Sequence, residues 1–417
     1  MSNLDLTARQ HPASTDALQA AATFSPDLSL EMGMGSLWSR DHRWLQRLLH
    51  CNAQLRTLSQ PTDPRAFTLE ADFEAVRDDH DHYRLRRDAP LRHLLDGLSL
   101  LREVHNYSQQ HRLCANPDEP EPHRVPASLQ LSPHMEAALQ AFPDEAMLSL
   151  DPLRHLANPR SVLIDCLEAL NGYLRQFRVL TQDAAFRKRL SNRQRAANKN
   201  RRSLQQLIAQ LFAQYARLLV VRVDFSYLRE YKTKATPARI EADRNAFLRQ
   251  RRTHPLFKTL AAYVWKLEYG IEKGLHLHML FFFDGSKVRE DITLAEQLKQ
   301  LWLETTHGEG LVYNSNLTAH KAYAGSPENA LGMVSHADPV KLRALTRHVV
   351  TYLTKLDECI ALCLPQGKRT FGHSQVTPPR PEQRKRGRPR KYPSVAIHTL
   401  PTTDEAAPAE QATPSSN

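Results

Sequence analysis

The chain has 417 residues, 41% of them hydrophobic, with 56 Lys and Arg against 45 Asp and Glu and a net charge of +11. That length supports two or three domains with a sizeable core, and the basic excess points towards a polyanionic partner, nucleic acid first. No apolar run of about 18 residues is present, which excludes a helical membrane span and leaves no membrane partner to expect.

Taken in chain order, residues 1–61 read as a polar, partly irregular segment with one short helix around Leu37 to Leu58. Met1 to Phe24 lacks the basic-then-apolar order of a secretory leader, so the expected compartment is the cytoplasm. Residues 62–187 read as a helical accessory region, because Leu91, Leu94, Leu95, Leu98 and Leu101 recur at three and four. Pro-rich breaks at Pro117 to Pro126 and at Pro152 interrupt it. The cluster Asp78-Asp79-His80-Asp81-His82 sits in a charged stretch and reads as a solvated loop or helix face rather than a metal site. Five cysteines (Cys51, Cys114, Cys166, Cys359, Cys363) form no CxxC pair, so neither a disulfide framework nor a zinc ribbon is indicated. Cys359 and Cys363, four apart on an expected helix, read as buried thiols.

Residues 188–210 form a basic linker or helix. Arg187 to Arg202 holds eight Lys or Arg and no acid, which suits either a solvated helix face or a contact with a DNA backbone. Residues 211–375 change character. Leu218 to Phe225 is rich in branched residues at strand length, Ala261 to Tyr269 and Leu275 to Phe283 are further strands, and a helix is expected between the first two. Gly270 to Gly274 reads as a hairpin connection, and helices are expected at Ile292 to Thr305 and Val340 to Leu364. The fold class is therefore α+β: an antiparallel-sheet domain in the C-terminal half, preceded by a mostly helical N-terminal region.

Within Gly274-Leu275-His276-Leu277-His278-Met279-Leu280, strand alternation turns His276 and His278 to one face and Leu275, Leu277 and Met279 to the other, towards a core. Two imidazoles on one face can chelate a metal ion, or they can be two ordinary histidines. Glu268, at the end of the preceding strand, is placed to supply a third ligand, and Glu272 in the turn is the alternative. Further along, Tyr352 and Lys355 are three apart on the expected helix and so share a face, where a cation favours the nucleophilic phenolate; the plain alternative is a half-buried Tyr beside a snorkelling Lys.

Asp224 on the first strand, the His-x-His strand and the Tyr-x-x-Lys helix, in that order, resemble the three motifs of HUH rolling-circle replication initiators. The region is most similar to the gene II replication proteins of filamentous phages (inoviruses) and related prophage proteins. Supporting phrases are Tyr263-Val-Trp-Lys-Leu-Glu-Tyr269, Trp302 and Arg369-Thr-Phe-Gly-His-Ser374. The resemblance covers about residues 211–375. It implies an HUH nicking domain in which His276 and His278, with Glu268, hold Mg²⁺ or Mn²⁺. Tyr352 would then attack a phosphate of single-stranded DNA at a replication origin, leaving a 5′-phosphotyrosine and a 3′-hydroxyl. Lys355 would orient or activate that tyrosine. The helix lacks the second tyrosine of a Tyr-x-x-x-Tyr pair, so a full cycle needs another nucleophile, which a homo-oligomer would provide. No GxxxxGK[ST] motif occurs, so unwinding would fall to a host helicase and extension to a host polymerase. A catalytically degenerate DNA-binding regulator of a prophage origin is the alternative.

Residues 376–417 are Pro-rich, basic and expected to be disordered. Arg384-Lys385-Arg386-Gly387-Arg388-Pro389-Arg390-Lys391 resembles an AT-hook. Its slim Gly-Arg-Pro core suits the narrow minor groove of A·T-rich DNA, and the flanking cations suit phosphates.

Overall fold

The computed structural model describes residues 36–60, 67–77, 79–113, 128–144, 150, 152–270, 273–322, 329–346, 353, 360–364 and 368–376. The architecture is α+β, with a largely helical N-terminal part and a C-terminal antiparallel sheet. No described helix is long and apolar enough to cross a membrane.

In the N-terminal part, α1 (Ser36–Leu58), α2 (Pro90–Leu113), α3 (Pro133–Ala141) and α4 (Arg160–Gln182) enclose one apolar core. Leu163, Leu167, Leu170, Leu174 and Phe177 recur at three and four on α4, and they share one buried core with Leu91, Leu94, Leu95, Leu98 and Leu101 of α2 and Leu48 and Leu55 of α1. Of the charged cluster expected in a loop or helix, Asp79 to His82 lie in a strand instead, and Asp78 is outside the described residues. Here β1 (Phe73–Val76) and β2 (Asp79–Leu85) form an antiparallel hairpin, and β2 also pairs with Asn158–Pro159. The apolar signal of β2 is confined to Tyr83 and Leu85 at its end, so its partners, not its own pattern, make it a strand.

After the short strand β3 (Ser128–Leu131) come α3 and α4, then α5 (Ala184–Gln214), a single 31-residue helix. Asp183 caps α5 by accepting from the amides of Ala185 and Phe186. Phe186 at its start is buried in the N-terminal core, whereas Leu204, Leu207, Ile208, Leu211 and Phe212 are buried against the C-terminal sheet.

The C-terminal elements are β4 (Arg217–Tyr227), α6 (Pro237–Arg249), β5 (Leu260–Gly270), β6 (Gly274–Asp284), α7 (Asp291–Thr305), β7 (Gly310–Asn314), α8 (Ser315–Ala322), β8 (Gly332–Ser335), α9 (Pro339–Ala344), β9 (Ile360–Cys363) and β10 (Phe371–His373). In the main sheet the order is β10-β5-β6-β4, every pair antiparallel. The far edge of β4 is shared: Val223–Tyr227 pair with β7 and Arg217–Val220 with β8. Gly274, at φ 70°, opens β6 in the left-handed region that glycine adopts without strain.

β6 is buried on both faces. Leu275, Leu277, Met279, Phe281 and Phe283 enter one core with α6 and α7, where Trp302 stacks on Phe225 at 4.5 Å and donates its indole N–H to the Ser226 carbonyl. On the other face Leu280 and Phe282 pack under α5 with Leu218, Val220, Val264 and Leu353. The helix expected over Val340 to Leu364 does not run through: its end, Ile360–Cys363, is β9, paired antiparallel with β3. An apolar four-residue run satisfies either periodicity, and the ladder offered by β3 decides it. Cys363 therefore lies on a strand, and Cys359 lies outside the described residues.

Gly372 has no room for a side chain, because a Cβ there would sit 2.7 Å from the Trp265 indole. The Gly372→Ala variant is expected to lose about 1–3 kcal/mol through this overpacking. In urea unfolding this should appear as a lower midpoint at an unchanged slope.

Candidate metal centre

The register of three strands builds the centre. On the α5 side of the sheet, Asp224 of β4 faces His278 of β6, which faces Lys266 of β5. One step towards the hairpin, His276 faces Glu268. All five are buried, Asp224 completely. Leu275, Leu277 and Met279 point to the opposite core, so strand alternation separates the chemistry from the packing.

The sequence expectation that His276, His278 and Glu268 approach one another is met in the geometry: one ligand atom from each lies within 4.8 Å of the others. His278 Nε2 is 3.0 Å and His276 Nε2 4.0 Å from the same Glu268 oxygen, Oε2. The second nitrogen of each ring is already engaged. His276 Nδ1 lies 3.0 Å from the Gly274 carbonyl, which fixes its tautomer with the proton on Nδ1 and the lone pair on Nε2. His278 Nδ1 lies 2.8 Å from Asp224 Oδ1 and donates to it, since an ionised carboxylate would repel a bare nitrogen. The Arg222 guanidinium in turn grips both oxygens of Asp224, at 3.2 and 3.3 Å.

This pattern of two imidazoles aimed at one point, each oriented from behind by a carbonyl or carboxylate, is what metal-bound histidines require. Glu268 Oε1 is buried and has no hydrogen-bond partner among the described residues, an acceptor left over at the point of convergence. These residues therefore fit a divalent cation. Two nitrogens and a carboxylate suit Mn²⁺, Fe²⁺ or Zn²⁺ and tolerate Mg²⁺, so the donor set alone does not select among them.

Protonation follows from the packing. Burial and the neighbouring positive charge of His278 push His276 down to about 3, which keeps it neutral and ready to ligate. Burial also opposes the cationic form of His278, but Asp224 and Glu268 outweigh it and raise its pKa. Burial disfavours the charged form of Glu268, yet His278 dominates and draws its carboxyl down to about 2. Asp224 is held well below the usual carboxylate range, with Arg222 and His278 overcoming its burial.

Of the other residues singled out in the sequence, Tyr352, Lys355, Glu272 and the basic tail residues Arg384, Lys385, Arg386, Arg388, Arg390 and Lys391 lie outside the described residues. Two residues, Arg222 and Lys266, escaped sequence reasoning, and Asp224 was singled out there only as a motif residue, without its role behind His278. Arg222 and Asp224 share a face of β4 at a spacing of two, and Lys266 sits two before Glu268; both spacings were visible, but their meaning depended on the register of neighbouring strands.

Residues 181–374, a little under half of the chain, match the model of the family described as the YagK/YfjJ C-terminal domain. The matched stretch starts at the end of α4 and takes in all of α5 and the sheet up to β10. No curated protein and no solved structure matches the chain.

Metal binding at this centre must displace the Nε2 proton of His278. Its raised pKa means that the metal-free site keeps this proton to higher pH than an ordinary imidazole does and releases it as pH rises, so affinity for Mn²⁺ is expected to increase with pH. Calorimetry in buffers of different ionisation enthalpy should record proton release on binding. No release at neutral pH would show that His278 is neutral beforehand. Asp224→Asn is expected to weaken Mn²⁺ binding by about 10–100-fold, the usual effect of losing a group that orients a ligand, and His276→Ala to abolish it.

Proposed function

We propose that the C-terminal domain is an HUH-type DNA nicking enzyme that initiates replication by transferring a DNA strand to its own tyrosine. The observation that carries this reading is the convergence of His276, His278 and Glu268, with the His276 ring oriented by the Gly274 carbonyl and the His278 ring by Asp224. Around them Arg222, Lys266 and Lys273 outnumber the two carboxylates Asp224 and Glu268, and Lys266 is only 1% exposed. A charge balance of this sign favours an anion, and a phosphodiester is the anion that a metal, two imidazoles and a tyrosine can process.

The sequence resemblance supplies the nucleophile, Tyr352. In support, its successor Leu353 is buried with Leu280 and Phe282, on the sheet face that carries His276 and His278. In this reading the phenol of Tyr352 loses its proton as its oxygen bonds to phosphorus. The P–O3′ bond breaks, and the 3′ oxygen leaves as a hydroxyl. Lys355 favours the phenolate, and Arg222, through Asp224, holds His278 in place. A bound Mg²⁺ or Mn²⁺ would supply a Lewis acid to the scissile phosphate. The 3′-hydroxyl would serve a host polymerase, with unwinding left to a host helicase and a second tyrosine to another protomer. The AT-hook-like tail would hold nearby duplex DNA and raise its effective concentration.

The test is a denaturing gel of the full chain with single-stranded origin-region DNA and Mn²⁺. A covalent adduct is expected that disappears with EDTA and in Tyr352→Phe, and that falls on the order of a thousandfold in rate in His276→Ala. Cleavage without an adduct would assign water as the nucleophile. Binding without cleavage on several origins would favour a regulator built on the same scaffold.

A further inference from the structure

α5 divides its charges into two kinds. Near its start, Arg189 reaches Glu136 at 3.5 Å and Arg193 donates to the carbonyls of Leu131 and Gln130, so these cations tie the helix to α3 and β3. Further on, Arg195, Lys199 and Arg202 have no carboxylate within ion-pair distance among the described residues, and α5 itself contains no acid from Ala184 to Gln214. With Gln206 they recur at four, three and four, on the side of α5 opposite Leu204, Leu207, Ile208 and Leu211. Like charges at these spacings destabilise a helix. Arg195 donates to the Asn192 side chain at 2.8 Å and to the Ser191 carbonyl at 3.4 Å, but no carboxylate among the described residues offsets the three charges.

Arg195, Asn198, Lys199, Arg202, Ser203 and Gln206 line an open groove of about 380 Å³. The groove connects to the metal centre through the fold. Ser203 Oγ lies 2.7 Å from His373 Nε2, and His373 pairs with Val264 on β5. From Val264 the strand runs four residues to Glu268, roughly 13 Å, along the face that α5 covers. The family match begins just before α5, so this helix belongs to the same matched unit as the centre.

We propose that this groove is a track for the phosphate backbone of the DNA strand delivered to the metal centre. Arg195, Lys199 and Arg202 each meet a phosphate, and Asn198, Ser203 and Gln206 give neutral hydrogen bonds to phosphate and sugar oxygens. The proposal rests on the reading of the centre as one that acts on phosphodiesters. A linear row of cations along one helix suits a linear polyanion. The groove offers no apolar side chain, so a membrane surface has nothing to insert against and a peptide no pocket for an anchor.

The experiment uses the full chain and its triple variant R195A/K199A/R202A, with a deoxythymidine oligonucleotide of about 30 residues, followed by fluorescence anisotropy at stepped KCl in EDTA. The slope of log affinity against log salt is expected to fall by about 2 in magnitude, close to 0.7 per cation for a single strand. The charge-preserving variant R195K/R202K should keep it. A duplex of the same length is the second arm: a loss of about 0.9 per cation there, with the single strand unaffected, would assign the track to the flanking duplex. Equal helix content and equal Mn²⁺ binding show that the triple variant is folded, since the replaced side chains face solvent. An unchanged slope for both DNAs in that folded variant overturns the proposal, as does displacement of DNA by polyglutamate as effective as by the oligonucleotide, which would point to an acidic polypeptide. Binding is read in EDTA, so an inactive metal centre would leave this result standing, and a flat result here would leave the covalent-adduct assay standing.

Discussion

One strand has to serve two incompatible environments, and the C-terminal domain is arranged around that demand. β6 is buried along both faces, yet two of its residues are histidines. A buried imidazole without partners is costly, so the neighbouring strands must bring it acceptors. β4 brings Asp224, β5 brings Glu268, and the turn into β6 brings the Gly274 carbonyl. Moving either neighbour by one residue would send its carboxylate to the apolar face, among Phe281, Phe283 and Trp302. The antiparallel register is thus as much a part of the centre as the histidines.

The electrostatics follow from the same crowding. His276 and His278 are two residues apart with rings 4.8 Å from centroid to centroid, and only one of them can carry a proton comfortably. Asp224 stands behind His278 alone, which makes His278 the proton holder and leaves His276 neutral. The two ligands therefore differ in role before any metal arrives, and the difference is set by a residue on a third strand.

α5 joins the two halves of the chain. Its first turns are bonded to the N-terminal helices and β3, and its last turns roof the sheet beside the metal centre. β9 repeats the connection from the other direction by pairing with β3. Through this double attachment the N-terminal helical part is held against the helix that carries the basic face.

Much of the site was legible in the sequence because it depends on local periodicity. The strand alternation of Leu275 to Met279 separated ligand face from core face, and the short Gly-bounded connection implied that β5 and β6 pair, which brought Glu268 towards the histidines. Regularly spaced leucines marked α2, and the acid-free run from Arg187 to Arg202 marked the basic stretch of α5. Other features had no local signal. Arg222 looks like an ordinary strand residue, and the partner of Asp224 is fixed only when β6 is docked beside β4 in register. Ile360–Cys363 and Asp79–Leu85 are strands only because β3 and β1 offer them a ladder. Sequence by itself determined which residues share a face, since that is set by the geometry of a single strand or helix. Only the tertiary structure decided which faces meet and which group orients each ligand, because those depend on backbone hydrogen bonds between segments distant in the chain.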